Sequence, residues 1–285
     1  MKSLSLRLPG AYLELQLSHE SPEAQGSREN AEFRRTNIYF SGDYAAWREA
    51  LADASGYDAP VILQKAITAT RAVLSGKAAY ERDTVLFETA HVAHPLLFAL
   101  LYTATQYAGC LKVLDFGGAL GTSYHQSRPF LSHLDMLHWG VVEQESFVTA
   151  GKEEFETEAL RFFPSVDACM EAVSPNFLLM SGVLQYLETP YSFLDVILSK
   201  GIPHVFVDRT MAHRLGRDRL VVQHVPEWIY EASYPVWLMD ADRMEELFDS
   251  AGYDILDQFD PHPGATFGHP DFKAPYIGWF LRKRQ

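Results

Sequence analysis

Residues 111–123 narrow what this chain can fold into more than any other stretch. A short apolar run, Leu111-Lys112-Val113-Leu114-Asp115-Phe116, ends in an acid and passes into Gly117-Gly118-Ala119-Leu120-Gly121 before Thr122-Ser123. The spacing predicts a buried strand over 111–116, a tight turn, and a helix over 122–131 that opens on two residues able to cap it. Glycines suit such a turn for two reasons: they accept positive φ, and without a Cβ they let a ligand approach the backbone. Beyond this unit, short apolar runs alternate with helical stretches. Strands are expected at 111–116, 137–143, 177–180 and 204–208, and helices at 122–131, 147–156, 191–199 and 240–251. Two last strands, 253–260 and 276–282, flank a turn rich in Pro and Gly. The alternation predicts an α/β, Rossmann-like fold, a mostly parallel sheet closed by a terminal antiparallel hairpin.

The chain before residue 111 has a different texture. Residues 1–35 end in a polar stretch, 18–35, and are expected to form a weakly ordered arm. Residues 36–110 read as a helical cap with helices over 44–54, 61–74 and 85–107, and 111–285 as the main domain with an insertion at 211–239. Apolar residues make up 47%, with 18 Phe, 14 Tyr and 5 Trp, so burial alone can stabilise a large core. The net charge is -13, and Lys and Arg are scattered apart from Arg282-Lys283-Arg284. Nucleic acid is therefore not expected as a partner, because phosphate binding needs a clustered basic face. Cys110 and Cys169 make neither a disulfide framework nor a zinc cluster. No apolar window is long enough for a membrane span, and residues 1–17 mix charge into their apolar run unlike a signal peptide, so a cytoplasmic protein is expected.

The turn also limits the ligand. A nicotinamide or flavin fingerprint needs G-x-G-x-x-G, but counting from Gly117 the chain offers Ala119 and Thr122 at the second and third positions. It also lacks the lysine-bearing loop of a nucleoside triphosphate site. The D-x-G-x-x-x-G spacing of Asp115, Gly117 and Gly121 suits a cofactor with a charged amino-acid tail and no phosphates, such as S-adenosylmethionine, with Asp115 holding the ammonium directly or through the turn amides. Glu143, at the carboxyl end of the next strand, can accept both ribose hydroxyls. The expected cofactor-binding residues are thus Asp115, Gly117, Gly118, Gly121, Glu143, Gln144, Ser181 and Gln185.

These residues belong to a longer set that resembles a family of methyltransferases of unknown substrate, often associated with surface-polysaccharide gene clusters. The resemblance covers most of residues 39–260. It includes Gly56-Tyr57-Asp58, Tyr80-Glu81-Arg82-Asp83, Val113-Leu114-Asp115-Phe116-Gly117-Gly118, Val142-Glu143-Gln144, Val183-Leu184-Gln185-Tyr186-Leu187, Asp208-Arg209-Thr210, Val222-Gln223-His224-Val225-Pro226 and Ala232-Ser233-Tyr234-Pro235. What it implies is a class I methyltransferase fold with a seven-stranded sheet, and S-adenosylmethionine as cofactor. It supplies no substrate. Ala119 replaces the central glycine of the commoner motif, and Pro175-Asn176 stand where an acid is usual.

Ligands of open α/β sheets lie at the carboxyl ends of the strands, which selects 181–186 and Asp208-Arg209-Thr210. Asp208 is read as a proton acceptor for a hydroxyl, and Arg209 as a grip on a carboxylate or phosphate, with a structural ion pair as the alternative. Tyr124 and His224 complete the catalytic candidates, Tyr124 with an aromatic plug as its alternative. The aromatics and arginines of the 211–239 insertion suit a small-molecule or sugar acceptor, and a lid or binding loop is expected there, with a scaffold that covers the helical leader as the alternative. His91 and His94 have metal-ligand spacing but no third ligand nearby, so no metal is expected. The expectation is O-methylation of a small molecule or sugar. Its rivals are a methyltransferase-like scaffold without activity and a nucleotide-linked oxidoreductase.

Overall fold

The computed structural model describes residues 2–8, 11–17, 37–56, 59–261, 266–269 and 272–285. Residues 18–35 of the expected arm, Tyr57, Asp58 and residues 262–265 of the Pro- and Gly-rich turn lie outside them. Strands β1 (Lys2–Leu8) and β2 (Ala11–Leu17) pair with each other antiparallel. The leader continues with β3 (Tyr39–Tyr44), α1 (Trp47–Asp53), α2 (Ala59–Leu74), β4 (Tyr80–Arg82), β5 (Val85–Phe87) and α3 (His94–Gln106). It is therefore not all helix. The helix expected over 85–107 begins only at His94, with Pro95 in its first turn, where the missing N–H has no helical partner to lose.

Next come β6 (Cys110–Phe116), α4 (Thr122–Leu131), β7 (Met136–Val142), α5 (Glu145–Glu154), β8 (Leu160–Phe163), α6 (Val166–Val173), β9 (Phe177–Ser181), α7 (Pro190–Ser199) and β10 (His204–His213). Strands β8-β7-β6-β9-β10 lie side by side in that order. All four pairings among them are parallel. After β11 (Arg219–Val225), β12 (Ala232–Asp240) and α8 (Ala241–Ser250), the chain ends in β13 (Tyr253–Phe259), β14 (Thr266–His269) and β15 (Phe272–Lys283). Strand β15 enters beside β10 and runs antiparallel to both β10 and β13. The result is the expected Rossmann-like sheet, with seven strands from β8 to β13 and one of them reversed.

Both faces of this sheet are covered, so its strands read as continuous apolar runs. Val113, Phe177 and Leu179 point toward α3, α4 and α5, while Leu114, Leu178 and Met180 point toward α6, α7 and α8. Strand β8 escaped the sequence reading because it is four residues long and carries the exposed Arg161. The 211–239 insertion is built of strands and packs against the leader, as the scaffold alternative has it, rather than forming a loop lid. Strands β11 and β12 pair antiparallel, β11 also pairs with β3, and β12 joins the far end of β10 at Ala212 and His213. Burial of Leu220, Val221, Val222, Val236 and Leu238 drives this extension of the sheet. Among the described residues no helix is long and apolar enough to cross a membrane.

Strand order reverses between β6 and β9. Connections leave these two strands in opposite directions, which opens a crevice at their carboxyl ends. The glycine turn follows β6 and residues 181–186 follow β9 at that end of the sheet.

Candidate cofactor and substrate site

The turn after β6 is built on left-handed backbone at Gly117 (φ 72°), Ala119 (φ 50°) and Gly121 (φ 88°). Gly117 donates its N–H to the Val142 carbonyl at 2.9 Å, and Gly121 donates to Gly118 at 2.9 Å. The protein's own packing already demands glycine here. A Cβ on Gly117 would stand 2.7 Å from Val183 Cγ2, and one on Gly118 would stand 2.5 Å from the Asp115 carboxyl carbon. Asp115 therefore lies beneath the turn, 1% exposed, with Trp139 Nε1 donating to its Oδ2 at 3.0 Å. Burial pushes its pKa up to about 7, with the Trp139 bond opposing and the Glu143 charge adding. Asp115 thus supports the turn from its buried side, and of the two expected ways for it to hold an ammonium, directly or through the turn amides, its burial favours the second.

Glu143 meets the turn from the side of β7. Its Oε1 accepts from the Ala119 N–H at 3.3 Å and its Oε2 from the Gln144 N–H at 2.8 Å. Burial raises its pKa, and these two hydrogen bonds oppose the rise. Gln144 contributes that N–H and caps α5, with its side chain exposed.

At the end of β10 the pairing with β15 slips: Val207 faces Trp279 and Thr210 faces Ile277. Asp208 and Arg209 together oppose Gly278, a bulge that bends the strand and re-aims both side chains. Arg209 takes a left-handed φ of 48°, a cost that a non-glycine residue bears where surrounding contacts hold it. A small network does so here. Asp208 accepts from Ser181 Oγ (3.3 Å) and from the Arg209 N–H (2.7 Å), Arg209 Nε donates to Ser181 Oγ (3.1 Å), and Gln185 Nε2 donates to the Arg209 carbonyl (3.1 Å). Arg209 also faces Asp83 at 3.9 Å. Burial alone would lower its pKa, but Asp83 and Asp208 raise it, so the guanidinium stays charged.

A cavity of about 290 Å³ lies at these carboxyl ends. Thr122, Ser123 and Gln126 line one part of it, Ser181, Asp208 and Arg209 another, and Arg82 with residues 91–96 a third. Phe259, Asp260 and Pro261 complete the lining. Thr122, which follows the turn, reaches this space, and Val183 packs over Gly117.

The structure thus brings Asp208, Arg209 and Ser181 to one cavity, with Gln185 bonded behind them. Glu143 stands at the turn beside it. Two catalytic candidates are elsewhere. Tyr124 is 3% exposed in the core, edge-on to Trp139, because its position on α4 faces the sheet. His224 stacks on Tyr39 at 4.3 Å and shares a 2.8 Å hydrogen bond with Ser41 across the β3–β11 pair. Sequence reasoning missed the leader's contribution. Glu81 accepts a hydrogen bond from Thr122 Oγ1 and another from the Thr84 N–H at 3.2 Å, docking the β4–β5 hairpin on the start of α4. The only signal was the motif Tyr80-Glu81-Arg82-Asp83. Its two-residue turn, Asp83 (φ 50°) and Thr84 (φ 69°), has the backbone of a tight hairpin without the Asn-Gly or Asp-Gly that announces one.

No family model matches this chain, and no curated protein matches it. Solved structures similar to it include a Burkholderia thailandensis 1,6-didemethyltoxoflavin N1-methyltransferase with S-adenosylhomocysteine bound, at 13% identity and a TM-score of 0.42, covering 86% of this chain and 93% of that one. The N-terminal domain of EvdMO1 with S-adenosylhomocysteine and D-fucose is similar at 12% identity and a TM-score of 0.44, over 80% and 98%. The magnesium protoporphyrin IX methyltransferase of Synechocystis is similar at 10% identity and a TM-score of 0.42, over 77% and 97%. At these values no activity passes from those proteins to this chain.

Proposed function

We propose that this chain is an S-adenosylmethionine-dependent methyltransferase that methylates a hydroxyl of a small-molecule or sugar-type acceptor. The observation that carries the reading is Glu143: a carboxylate held at the carboxyl end of β7, against the amide of a turn whose glycine pattern does not suit a pyrophosphate. The donor set fits an adenosyl amino acid. Glu143 would hold the ribose hydroxyls, and the hydroxyls of the adjoining cavity would meet the polar tail. When bound, the cofactor supplies a methyl group on a positively charged sulfur.

The chain's own part is alignment and proton removal. Asp208 lines the cavity and accepts two hydrogen bonds, from Ser181 and from the Arg209 amide. A carboxylate has about four lone-pair sites, so Asp208 retains capacity to take the proton of an acceptor hydroxyl. Ser181 and Arg209 hold it in place for that task. Asn176 explains the missing acid of the fourth strand: it accepts from the Lys112 N–H and donates to the Cys110 carbonyl, stitching β6 to β9.

A second reading, a scaffold of methyltransferase shape without catalysis, draws on Val183, which packs on Gly117 where a cofactor would approach. One experiment separates the two. Calorimetry is expected to show binding of S-adenosylmethionine and S-adenosylhomocysteine but not NADH, and labelled-methyl transfer to a panel of sugars and nucleotide sugars should reveal an acceptor. Asp208→Asn should keep cofactor binding and lower transfer by roughly 10²- to 10⁴-fold, the range of general-base catalysis. Failure of both sulfur compounds to bind would end the enzyme reading, while binding without transfer would favour the scaffold.

A further inference from the structure

The cofactor reading leaves one cavity group without a task, and the role inferred for that group rests on the same reading. Arg82 lines the cavity and makes no hydrogen bond or ion pair among the described residues. Its neighbours are committed elsewhere. Glu81 bonds Thr122 and Thr84, Asp83 faces Arg209, and Asp208 bonds Ser181 and the Arg209 amide. Its remaining contact is the Tyr80 ring, 5.8 Å from the guanidinium carbon. Burial lowers its pKa and the nearby Arg209 lowers it further, while the charges of Tyr80, Asp83 and Asp208 offset part of the fall. A half-buried guanidinium beside another cation, with no carboxylate bonded to it, is a costly arrangement that an incoming anion relieves.

The position identifies the anion. Glu143 meets the turn at Ala119, where it suits a ribose. Arg82 stands past the other end of the turn, next to the Glu81 that docks on Thr122. A molecule with an adenosyl group at one end and an amino-acid tail at the other, laid along residues 117–122, brings its tail carboxylate to that guanidinium. We infer that Arg82 binds the carboxylate of the cofactor's amino-acid tail, so that the leader hairpin completes the cofactor site. A planar guanidinium matches a carboxylate with two parallel hydrogen bonds, which a lysine cannot reproduce.

The test compares two probes that differ in this tail. S-adenosylhomocysteine carries the carboxylate, whereas 5′-methylthioadenosine keeps the nucleoside and sulfur but lacks the amino-acid group. In calorimetry, Arg82→Gln should weaken S-adenosylhomocysteine binding by about 10- to 100-fold, as expected for loss of a charged hydrogen-bonded pair. It should leave 5′-methylthioadenosine within about twofold of the unmodified protein, and Arg82→Lys should fall between. Unfolding temperature checks that the variants fold. Unchanged S-adenosylhomocysteine binding in Arg82→Gln would overturn the inference and leave the cofactor reading intact. Equal loss of both probes would overturn it in favour of a structural role. If the unmodified protein bound neither probe, both readings would fall.

Discussion

The two sides of the cavity are built from different kinds of chain. On one side, residues 115–126 run without a break from strand through turn to helix, and main-chain hydrogen bonds such as Gly117 to Val142 set their geometry. On the other, Arg82 arrives from a separate hairpin fastened by Thr122 to Glu81 and Arg209 with Asp83, while His91 and His94 lie at the start of α3, whose Leu96, Ala99 and Leu100 pack in the core. The turn side is bound to the core of the sheet and cannot move without it. The β4–β5 hairpin is tethered at points, each of which one substitution removes.

That contrast can be broken or sharpened by three measurements. The largest effect is expected from Gly117→Val, which meets Val183 and forces a β-branched residue into left-handed backbone. Overpacking and backbone strain together cost roughly 2–5 kcal/mol, and S-adenosylhomocysteine binding should be lost with the stability. Adding Val183→Ala should recover the overpacking part but not the strain. A Gly117→Val protein that melts at the original temperature would show that the turn is looser than its packing implies.

Glu81→Ala comes next. Removing it leaves the Thr122 hydroxyl and the Thr84 N–H without their acceptor, at a cost of about 1–3 kcal/mol. Hydrogen exchange should quicken in residues 80–87 while β6 and β7 keep their protection. If β6 loosened equally, the two sides would be one cooperative unit and the contrast would be false.

The third test is a slope with pH. Because the pKa of Asp115 in the fold is about 7, above its ordinary 3.8, the folded state binds more protons than the unfolded chain between those values. Its contribution to stability is full below about pH 4 and declines as pH rises to about 7, by at most about 1.4 kcal/mol per pH unit for one proton. Asp115→Asn should flatten that part of a melting-temperature profile. An unchanged profile would mean that the Trp139 bond holds the carboxylate ionised throughout.

Much of the parallel core was legible because its local signals agree. Apolar runs of strand length, caps and glycine turns follow one another over residues 111–213, and the reversed last strand announced itself by the Pro- and Gly-rich turn before it. Strand β8 and the β4–β5 hairpin were not legible, since each is three or four residues long and neither carries a turn signal. In the site, Glu143 stands where its strand-end position put it, beside the turn. Tyr124 does not, because a tyrosine near the start of a helix suits a cavity and a core equally, and only the direction of α4 decides which side it faces.

By itself, this sequence determined the run of strand, glycine turn and helix, the alternation that makes a parallel sheet, and the acid at the end of the second central strand. These depend on residues close together in the chain, where periodicity and backbone preference act. Only the tertiary structure decided that the 211–239 segment extends the sheet, that a bulge turns Asp208 and Arg209 into the cavity, and that Glu81 fastens the leader to Thr122. Each of those outcomes joins residues distant in sequence, and their energies arise from burial and hydrogen bonds that exist only once the sheet has formed.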